Sequence, residues 1–280
     1  MWTRSLLKTN AKNVLRSSYW KVFAVCLLGA LLGALPSSTP FQTNFNFDLE
    51  ELERGDFSSV FPATESLNYI SATVFAGALI IGLIFAMLVV LFVSIPLQVG
   101  ICRYMMENRQ GATPFGTVFS AFSVQYLHTV GVLFTTNLLI VWPYLVTIAL
   151  ALLSAFTTPL LLILMVPCLI FSLVYAINRG YSWYLVPWLL AENPYLTADR
   201  ARQLSRDMTM GDKWNIFVLE LSFIGWDILA SLLFGLGHFF LNPYKQATFA
   251  ELYAAMRAKA MAAGYSNEQE LAGFVRHPMM

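Results

Sequence analysis

The charged residues of this chain are missing from several apolar stretches, each about long enough to cross a bilayer. Of the seventeen lysines and arginines, only Arg54 lies in the acidic segment 36–68. A helix needs about 20 mostly apolar residues to span the hydrocarbon, and basic residues favour the cytoplasmic side. The pattern therefore predicts an all-α, polytopic transmembrane bundle forming a single membrane domain, with segment 36–68 outside and both termini cytoplasmic.

The composition supports this class and excludes others. Hydrophobic residues make up 58% of the chain and charged residues 12%, whereas about a quarter of an average soluble domain is charged. The net charge of +1 argues against a nucleic-acid partner, which needs a clustered basic face. All three cysteines lie in or beside apolar stretches, which argues against a disulfide framework. Membrane lipids and a membrane-protein partner are the expected partners, and the oligomeric state stays open.

Three polar segments predict amphipathic helices at the cytoplasmic surface. Segment 1–18 carries basic residues at every fourth position, a spacing typical of a surface helix attracted by anionic headgroups. The competing interpretation is a signal peptide whose apolar region is 22–35. Segment 113–126 predicts the second such helix, and segment 192–213 predicts the third. In this last segment Thr197 is a candidate N-cap.

The predicted spans are about 19–35, 69–106, 129–153 and 160–191, followed by an apolar run from Trp214 to about Phe240. A hairpin at Gly235 and Gly237 would divide that run, giving six spans and a cytoplasmic tail over 259–280. One long helix would give five spans and place the tail outside. Basic residues in the tail favour about six spans.

The spans also suggest a repeat of three parallel helical hairpins. Each return helix carries a proline near its inner end, namely Pro96, Pro187 and Pro243. Some transporters are built from parallel repeats of this kind. The ordinary alternation of a polytopic chain produces a milder version of the same pattern, so both interpretations stay open.

Two carboxylates in the predicted fifth span are candidate ligand-binding residues. Glu220 and Asp227 are seven residues apart and share nearly the same helical face. Charged groups inside a membrane are costly, and they often mark a proton, cation or headgroup site. The alternative is that each carboxylate is bonded to neighbouring polar groups and is structural.

The basic residues on the inner side form a second candidate site. They could converge beneath the bundle and bind lipid phosphate or an acidic partner. The alternative is that they only fix the topology, and that those of segment 192–213 pair with Asp199, Asp207 and Asp212. The candidate residues are Arg103, Arg179, Arg200, Arg202 and Arg206.

No motif of specific chemistry is present. His128, His238 and His277 lack the spacing of a zinc site, and neither a GxSxG nucleophile elbow nor a phosphate-binding glycine loop occurs. The sequence therefore predicts no metal and no cofactor. It leaves enzymatic activity undecided, with a protein that is not an enzyme favoured.

The stretch from Trp183 to Tyr253 resembles the bacterial integral membrane proteins of domain-of-unknown-function family 975. The first half resembles the family more loosely, segment 36–68 has no obvious match, and Leu252 stands where the family has an aromatic residue. The resemblance implies a multi-pass protein of the bacterial inner membrane and adds no reaction. Its motifs here are Leu190–Pro194, Ser205–Arg206, Met210–Lys213, Leu221–Trp226, Gly235–Gly237, Pro243–Tyr244 and Tyr253.

Two hypotheses of function follow. The first is a non-catalytic inner-membrane protein that binds a lipid, peptide or membrane partner between its helices, in support of envelope homeostasis or export. The second is a small transporter or lipid-handling enzyme that uses Glu220. They differ on whether Glu220 faces a wet cavity or packs against neighbouring helices.

Overall fold

The fold was analysed in a computed structural model, which describes residues 2–35, 65–123, 125–156, 161–232 and 236–274. These ranges are all-α and contain no strand. The predicted external segment 36–68 lies outside the described residues up to position 64. The helices are α1 (Arg4–Leu31), α2 (Glu65–Val89), a π turn (Val90–Ser94), α3 (Ile95–Gln110), a 3₁₀ helix (Phe115–Phe122), α4 (Tyr126–Phe156), α5 (Leu161–Ser182), α6 (Val186–Glu192), α7 (Ala198–Thr209), α8 (Lys213–Leu232) and α9 (Gly237–Ala262).

α1 is one continuous helix, so segment 1–18 is not the separate surface helix that the sequence predicted. It begins after Thr3, whose hydroxyl accepts a hydrogen bond from the Leu6 amide at 3.3 Å. No glycine or proline occurs between residues 4 and 28, so nothing ends the helix at the predicted boundary. Its buried stripe packs mainly on α9 and consists of Leu7, Ala11, Leu15, Ser18, Val22, Val25 and Gly29.

α2 and α3 form the predicted second span, which is longer than expected and contains a π turn. Pro96 accounts for the irregularity, because proline has no N–H and its ring excludes the carbonyl four residues earlier. That carbonyl belongs to Phe92, and it accepts a hydrogen bond from the Tyr126 hydroxyl at 2.7 Å. The start of α4 therefore replaces the helical donor that Pro96 removes.

α4 and α5 form an antiparallel hairpin with little protein around it. Inside the hairpin the Thr147 and Ser172 hydroxyls are 3.0 Å apart. Many of the other side chains along both helices are exposed apolar groups, such as Leu152 and Val166. Such helices suit a lipid environment, where exposed apolar side chains cost nothing.

The predicted return helix over 160–191 is broken at residues 183–185, between α5 and α6. Pro187 explains the break, since its ring would collide with the carbonyl of Trp183 in a continuous helix. The chain instead makes a turn in which the Val186 amide donates to that carbonyl at 3.1 Å.

The three prolines of the predicted repeat have different surroundings. Pro96 follows a π turn, Pro187 lies in the first turn of α6, and Pro243 lies inside α9. The local structure at these positions therefore gives the repeat no support.

α8 and α9 run antiparallel, as the hairpin interpretation of the last apolar run predicted. Gly237 lies so close to Ala230 that a Cβ would come within 2.6 Å of the Ala230 Cα, so only glycine permits this approach. By length and composition, five helices in the described part of the chain could cross a membrane: Arg4–Leu31, Gly77–Gln110, Tyr126–Ser154, Leu164–Glu192 and Lys213–Leu232. These indicate a membrane-spanning protein. α9 does not meet the same criterion, so six spans stay a prediction.

Candidate functional site

Three of the predicted arginines converge on one cavity of about 520 Å³, here called the arginine pocket. Arg179 comes from the last turn of α5, while Arg202 and Arg206 come from α7. Residues four apart lie on the same side of a helix, so Arg202 and Arg206 share one face of α7. The pocket is lined by Leu139, Tyr175, Arg179, Trp183, Asp199, Arg202, Gln203 and Arg206.

Trp183 is in contact with two of these arginines. The guanidinium carbons of Arg179 and Arg202 are 5.2 Å and 6.0 Å from the centre of its ring, and Arg179 is also 5.5 Å from the ring of Tyr175. A guanidinium over an aromatic face is attracted by the ring and held flat against it. The aromatic residues therefore fix where the positive charges lie.

The charges around the pocket do not cancel. Arg202 donates to the exposed Asp199 carboxylate at 2.8 Å. Neither Arg179 nor Arg206 has a carboxylate within 4 Å among the described residues, where ion pairs are otherwise common. The pocket therefore keeps a net charge of about two positive units.

Two buried polar atoms at the pocket have no hydrogen-bond partner. They are Nε1 of Trp183, whose residue is 7% exposed, and Nη1 of Arg202. Both atoms are donors and cannot accept. A buried donor without an acceptor is costly. Because both atoms have less than 1 Å² of accessible surface, the donors open to a ligand are other N–H groups of the lining arginines.

Aromatic residues beside the pocket are of the kinds found at the level of lipid headgroups. The rings of Trp142 and Tyr175 meet edge to face, 6.0 Å apart. Tryptophan and tyrosine are enriched where a membrane meets water. Beyond them α4 and α5 present exposed apolar side chains, among them Val146 and Val174.

The other two predicted arginines are engaged elsewhere. Arg103 pairs with Glu107 within α3 at 3.0 Å. Arg200 makes two bonds to Glu270, at 2.6 Å and 2.8 Å, and its guanidinium holds the pKa of that carboxyl below the ordinary value. Arg179, Arg202 and Arg206 therefore line one cavity and these two do not, while ligand binding by any of the five stays a prediction. Among the ion pairs of the described residues, Asp199 is the one predicted acidic partner that pairs with an arginine of segment 192–213, and Asp212 pairs with Lys259.

Glu220 is partly buried and bonded to protein. The Tyr181 hydroxyl donates to its carboxylate at 2.6 Å, which joins α8 to α5. Tyr181 is two residues from Arg179, so the two side chains leave nearly opposite faces of α5. Glu220 does not line the arginine pocket, nor a second cavity of about 230 Å³ between α1 and the end of α3.

Asp227 holds the α8–α9 hairpin together. Its carboxylate accepts from Lys245 at 3.1 Å and lies 3.6 Å from Nδ1 of His238, whose Nε2 is 3.1 Å from the Ser231 hydroxyl. The order Ser–His–Asp resembles a hydrolase triad. However, 3.6 Å is too long for a hydrogen bond, and the Ser231 hydroxyl donates to the Asp227 backbone carbonyl at 2.9 Å. The arrangement fits an ion-paired turn better than a nucleophile.

Sequence reasoning missed Glu192, whose side chain is completely buried. It accepts from the Tyr253 hydroxyl at 2.6 Å, from Arg257 at 2.8 Å and from the Gly273 amide at 2.7 Å. Burial beside this carboxylate raises the pKa of Tyr253 well above its ordinary value. Glu192 therefore fastens the C-terminal segment to α6 and α9. Sequence reasoning also missed that Trp183 lines the arginine pocket, although Tyr175, Arg179 and Trp183 recur at every fourth position.

Metal chemistry finds no support in the described ranges, where no group of three or more histidine, cysteine, aspartate or glutamate side chains is placed to hold an ion. What the arginine pocket offers is positive charge and the N–H donors of its arginines.

The family model for a protein of unknown function, DUF975, matches residues 1–260, so the chain belongs to that family. No curated protein and no solved structure matches the chain.

Proposed function

We propose that this DUF975 protein is a non-catalytic membrane-spanning protein that binds the phosphate headgroup of an anionic membrane lipid in the arginine pocket. The observation that carries the proposal is the excess of positive charge at the site. Three arginines line the cavity with one carboxylate, that of Asp199, and neither Arg179 nor Arg206 has a carboxylate within 4 Å among the described residues. Phosphate oxygens are strong acceptors, and arginine binds them through two parallel bonds.

The surroundings of the pocket favour a lipid over a free anion. Tyr175 lines the pocket and Trp142 packs against it, and residues of these two types are enriched at the headgroup level. Acyl chains leaving this level would lie along the exposed apolar side chains of α4 and α5, including Val146 and Phe171, which is four residues from Tyr175 on the same face of α5. One ligand would then satisfy both the charged pocket and the apolar surface next to it.

We also propose that the protein lies in the inner membrane of a bacterium with both termini in the cytoplasm. The proposal rests on the basic residues, of which only Arg54 falls in segment 36–68. With α9 as a partial or complete sixth crossing, the arginine pocket would face the inner leaflet. Anionic lipids give that leaflet a negative surface.

Transport through Glu220 is the less favoured function. A transport carboxylate needs access to water or substrate. The Glu220 carboxylate accepts from the Tyr181 hydroxyl, and it lines neither the arginine pocket nor the cavity beside α1. The contacts suit a link between α5 and α8.

Native mass spectrometry tests the proposal. The purified protein is offered phosphatidylglycerol and phosphatidylcholine with identical acyl chains, because the second lipid carries a cation that the arginines repel. The wild type should retain several-fold more phosphatidylglycerol. The double change Arg179→Gln and Arg206→Gln should remove that excess, because it removes both unneutralised charges.

The matched control changes Arg16 and Arg103 to glutamine, which lowers the net charge equally at positions away from the pocket. This control should keep the excess of phosphatidylglycerol. Equal retention of both lipids by the wild type would contradict the proposal, as would equal loss in the double variant and its control.

A further inference from the structure

The charges at the arginine pocket indicate how much negative charge its ligand carries. Asp199 cancels one of the three arginines, because its carboxylate bonds Arg202 at 2.8 Å. Arg179 and Arg206 remain, and together they carry two positive units with no carboxylate within 4 Å among the described residues. A phosphodiester headgroup carries one negative charge, so it would leave one of these arginines without compensation. A terminal phosphate monoester carries up to two.

Hydrogen bonding points the same way. A phosphate monoester has three terminal oxygens, whereas a diester has two, and each oxygen can accept more than one bond. The donors that carry the uncompensated charge are the guanidinium groups of Arg179 and Arg206, which line the pocket. Each guanidinium is a planar fork of five N–H groups. The third oxygen gives these donors acceptors that a diester does not have.

The pocket also holds one of its uncompensated charges, that of Arg179, in place before a ligand arrives. Trp183 is 7% exposed, and its ring centre lies 5.2 Å from the guanidinium carbon of Arg179 and 6.0 Å from that of Arg202. Groups that are already ordered lose less entropy on binding, so their charge is used more fully. This makes the count of charges at the site a meaningful guide to the ligand.

We infer that the arginine pocket selects lipids that end in a phosphate monoester over lipids with a phosphodiester headgroup. The inference rests on the proposed lipid binding and names the class of lipid. Phosphatidic acid and isoprenoid monophosphates share this chemistry on different chains, and glycerol 3-phosphate carries it without a chain. Loss of the second proton, with a pKa of about 6, gives the monoester its second charge.

The test is a competition followed by native mass spectrometry. The wild-type protein is offered equal amounts of phosphatidic acid and phosphatidylglycerol with identical chains, at pH 5 and pH 8. At pH 8 phosphatidic acid should be favoured about tenfold, as expected for an added hydrogen-bonded charge. At pH 5 the preference should fall to about twofold, because most of the monoester is then singly charged.

Single variants test which residues cause the preference for phosphatidic acid. Either Arg179→Gln or Arg206→Gln should abolish the preference for phosphatidic acid, since one uncompensated charge remains, while phosphatidylglycerol is still retained above phosphatidylcholine. Asp199→Asn should strengthen retention of both anionic lipids, because it releases Arg202. The change Arg16→Gln should leave the preference as it is in the wild type.

The outcomes separate this inference from the proposed function. Equal retention of phosphatidic acid and phosphatidylglycerol at pH 8, both above phosphatidylcholine, would overturn the selectivity and leave lipid binding standing. No excess of either over phosphatidylcholine would overturn lipid binding itself. Farnesyl phosphate carries the same phosphate monoester as phosphatidic acid on a different chain. Retention of both lipids would support recognition of the monoester. Complete displacement by glycerol 3-phosphate at the same concentration would show that no lipid chain is needed and would overturn the lipid assignment.

Discussion

Two regions of this protein bury their apolar residues in opposite ways. The inner core, formed by α1, α3, α6, α7 and α9, contains Tyr104, Trp188 and Tyr253 at 2% exposure or less. The apolar arms, formed by α2 and the α4–α5 hairpin, are long and apolar, yet the most apolar window of Leu164–Glu192 is only 6% buried within the protein. The inner core is held together by its own packing. The arms need lipid to cover them, because apolar helices gain little by leaving lipid for one another.

The polar side chains divide along the same boundary. Within the described residues, the inner core holds the ion pairs of Glu192 and Glu251, whose side chains are 0% and 7% exposed. The arginine pocket lies where α5 leaves the inner core, so it joins fixed charges to an apolar surface. A lipid-binding site belongs at such a boundary, since a lipid itself has a charged part and an apolar part.

Replacing a phenylalanine by alanine in each region tests whether the inner core and the apolar arms differ in this way. Phe249→Ala in the inner core removes a ring that is 1% exposed and meets Tyr184 and Phe223. It should lower the free energy of unfolding by about 3–5 kcal/mol. Phe85→Ala in α2, where the ring is 67% exposed, should change it by less than about 0.5 kcal/mol. Unfolding in mixed detergent micelles measures both, and similar losses would contradict the division.

The buried carboxylate of the inner core should show the next largest effect. Glu192→Gln leaves Arg257 without its charged partner and weakens the bond from Tyr253. Breaking a buried ion pair from one side costs about 3 kcal/mol or more. Asp199→Asn is the control, because that carboxylate is 98% exposed and should cost less than about 1 kcal/mol. The melting temperature of each variant can be followed by the reaction of a thiol dye with Cys26 and Cys102, which are buried until the protein unfolds. Equal shifts in melting temperature would argue against Glu192 as the fastening point.

Matched glycine substitutions test how closely the backbone is packed in the inner core and in the apolar arms. A Cβ on Gly100 in α3 would overlap the Val118 carbonyl oxygen, whereas a Cβ on Gly77 in α2 meets nothing within 4 Å. Gly100→Ala should therefore lower the free energy of unfolding by about 1–3 kcal/mol. Gly77→Ala should be neutral or stabilising, because alanine favours a helix. A tolerated Gly100→Ala would show that the 3₁₀ helix does not pack on α3 as described.

The smallest effect concerns the C-terminal segment and pH. Arg200 and then Ser266 hold the pKa of Glu270 below its ordinary value of 4.5 by hydrogen bonding, so the folded state favours the charged carboxylate. The resulting stability is present above pH 4.5 and is lost as the pH falls through the lowered pKa. Arg200→Gln should make residues 263–274 more sensitive to an acid protease at pH 5. This difference should fade towards pH 3, and a difference that does not depend on pH would contradict the ion pair.

The architecture was largely readable from the sequence, because long apolar stretches and basic flanks report the membrane directly. Thr197 was correctly identified as an N-cap, since its role is local, and its hydroxyl accepts from the Arg200 amide. The continuity of α1 and the break before Pro187 were missed, because both depend on what the chain packs against. The division of the arginines could not be predicted either. Arg200 pairs with Glu270, seventy residues away, and no local pattern reports such a contact.

Hydrogen–deuterium exchange of the protein in lipid nanodiscs, with and without phosphatidic acid, tests most directly whether the arginine pocket is the lipid site. Phosphatidic acid should slow exchange in two segments, 175–183 and 199–206, which carry the lining residues Arg179, Trp183, Arg202 and Arg206. Exchange in the inner core around Trp188 and in α2 should stay the same. Unchanged exchange in both pocket segments, or equal slowing across the chain, would contradict the account.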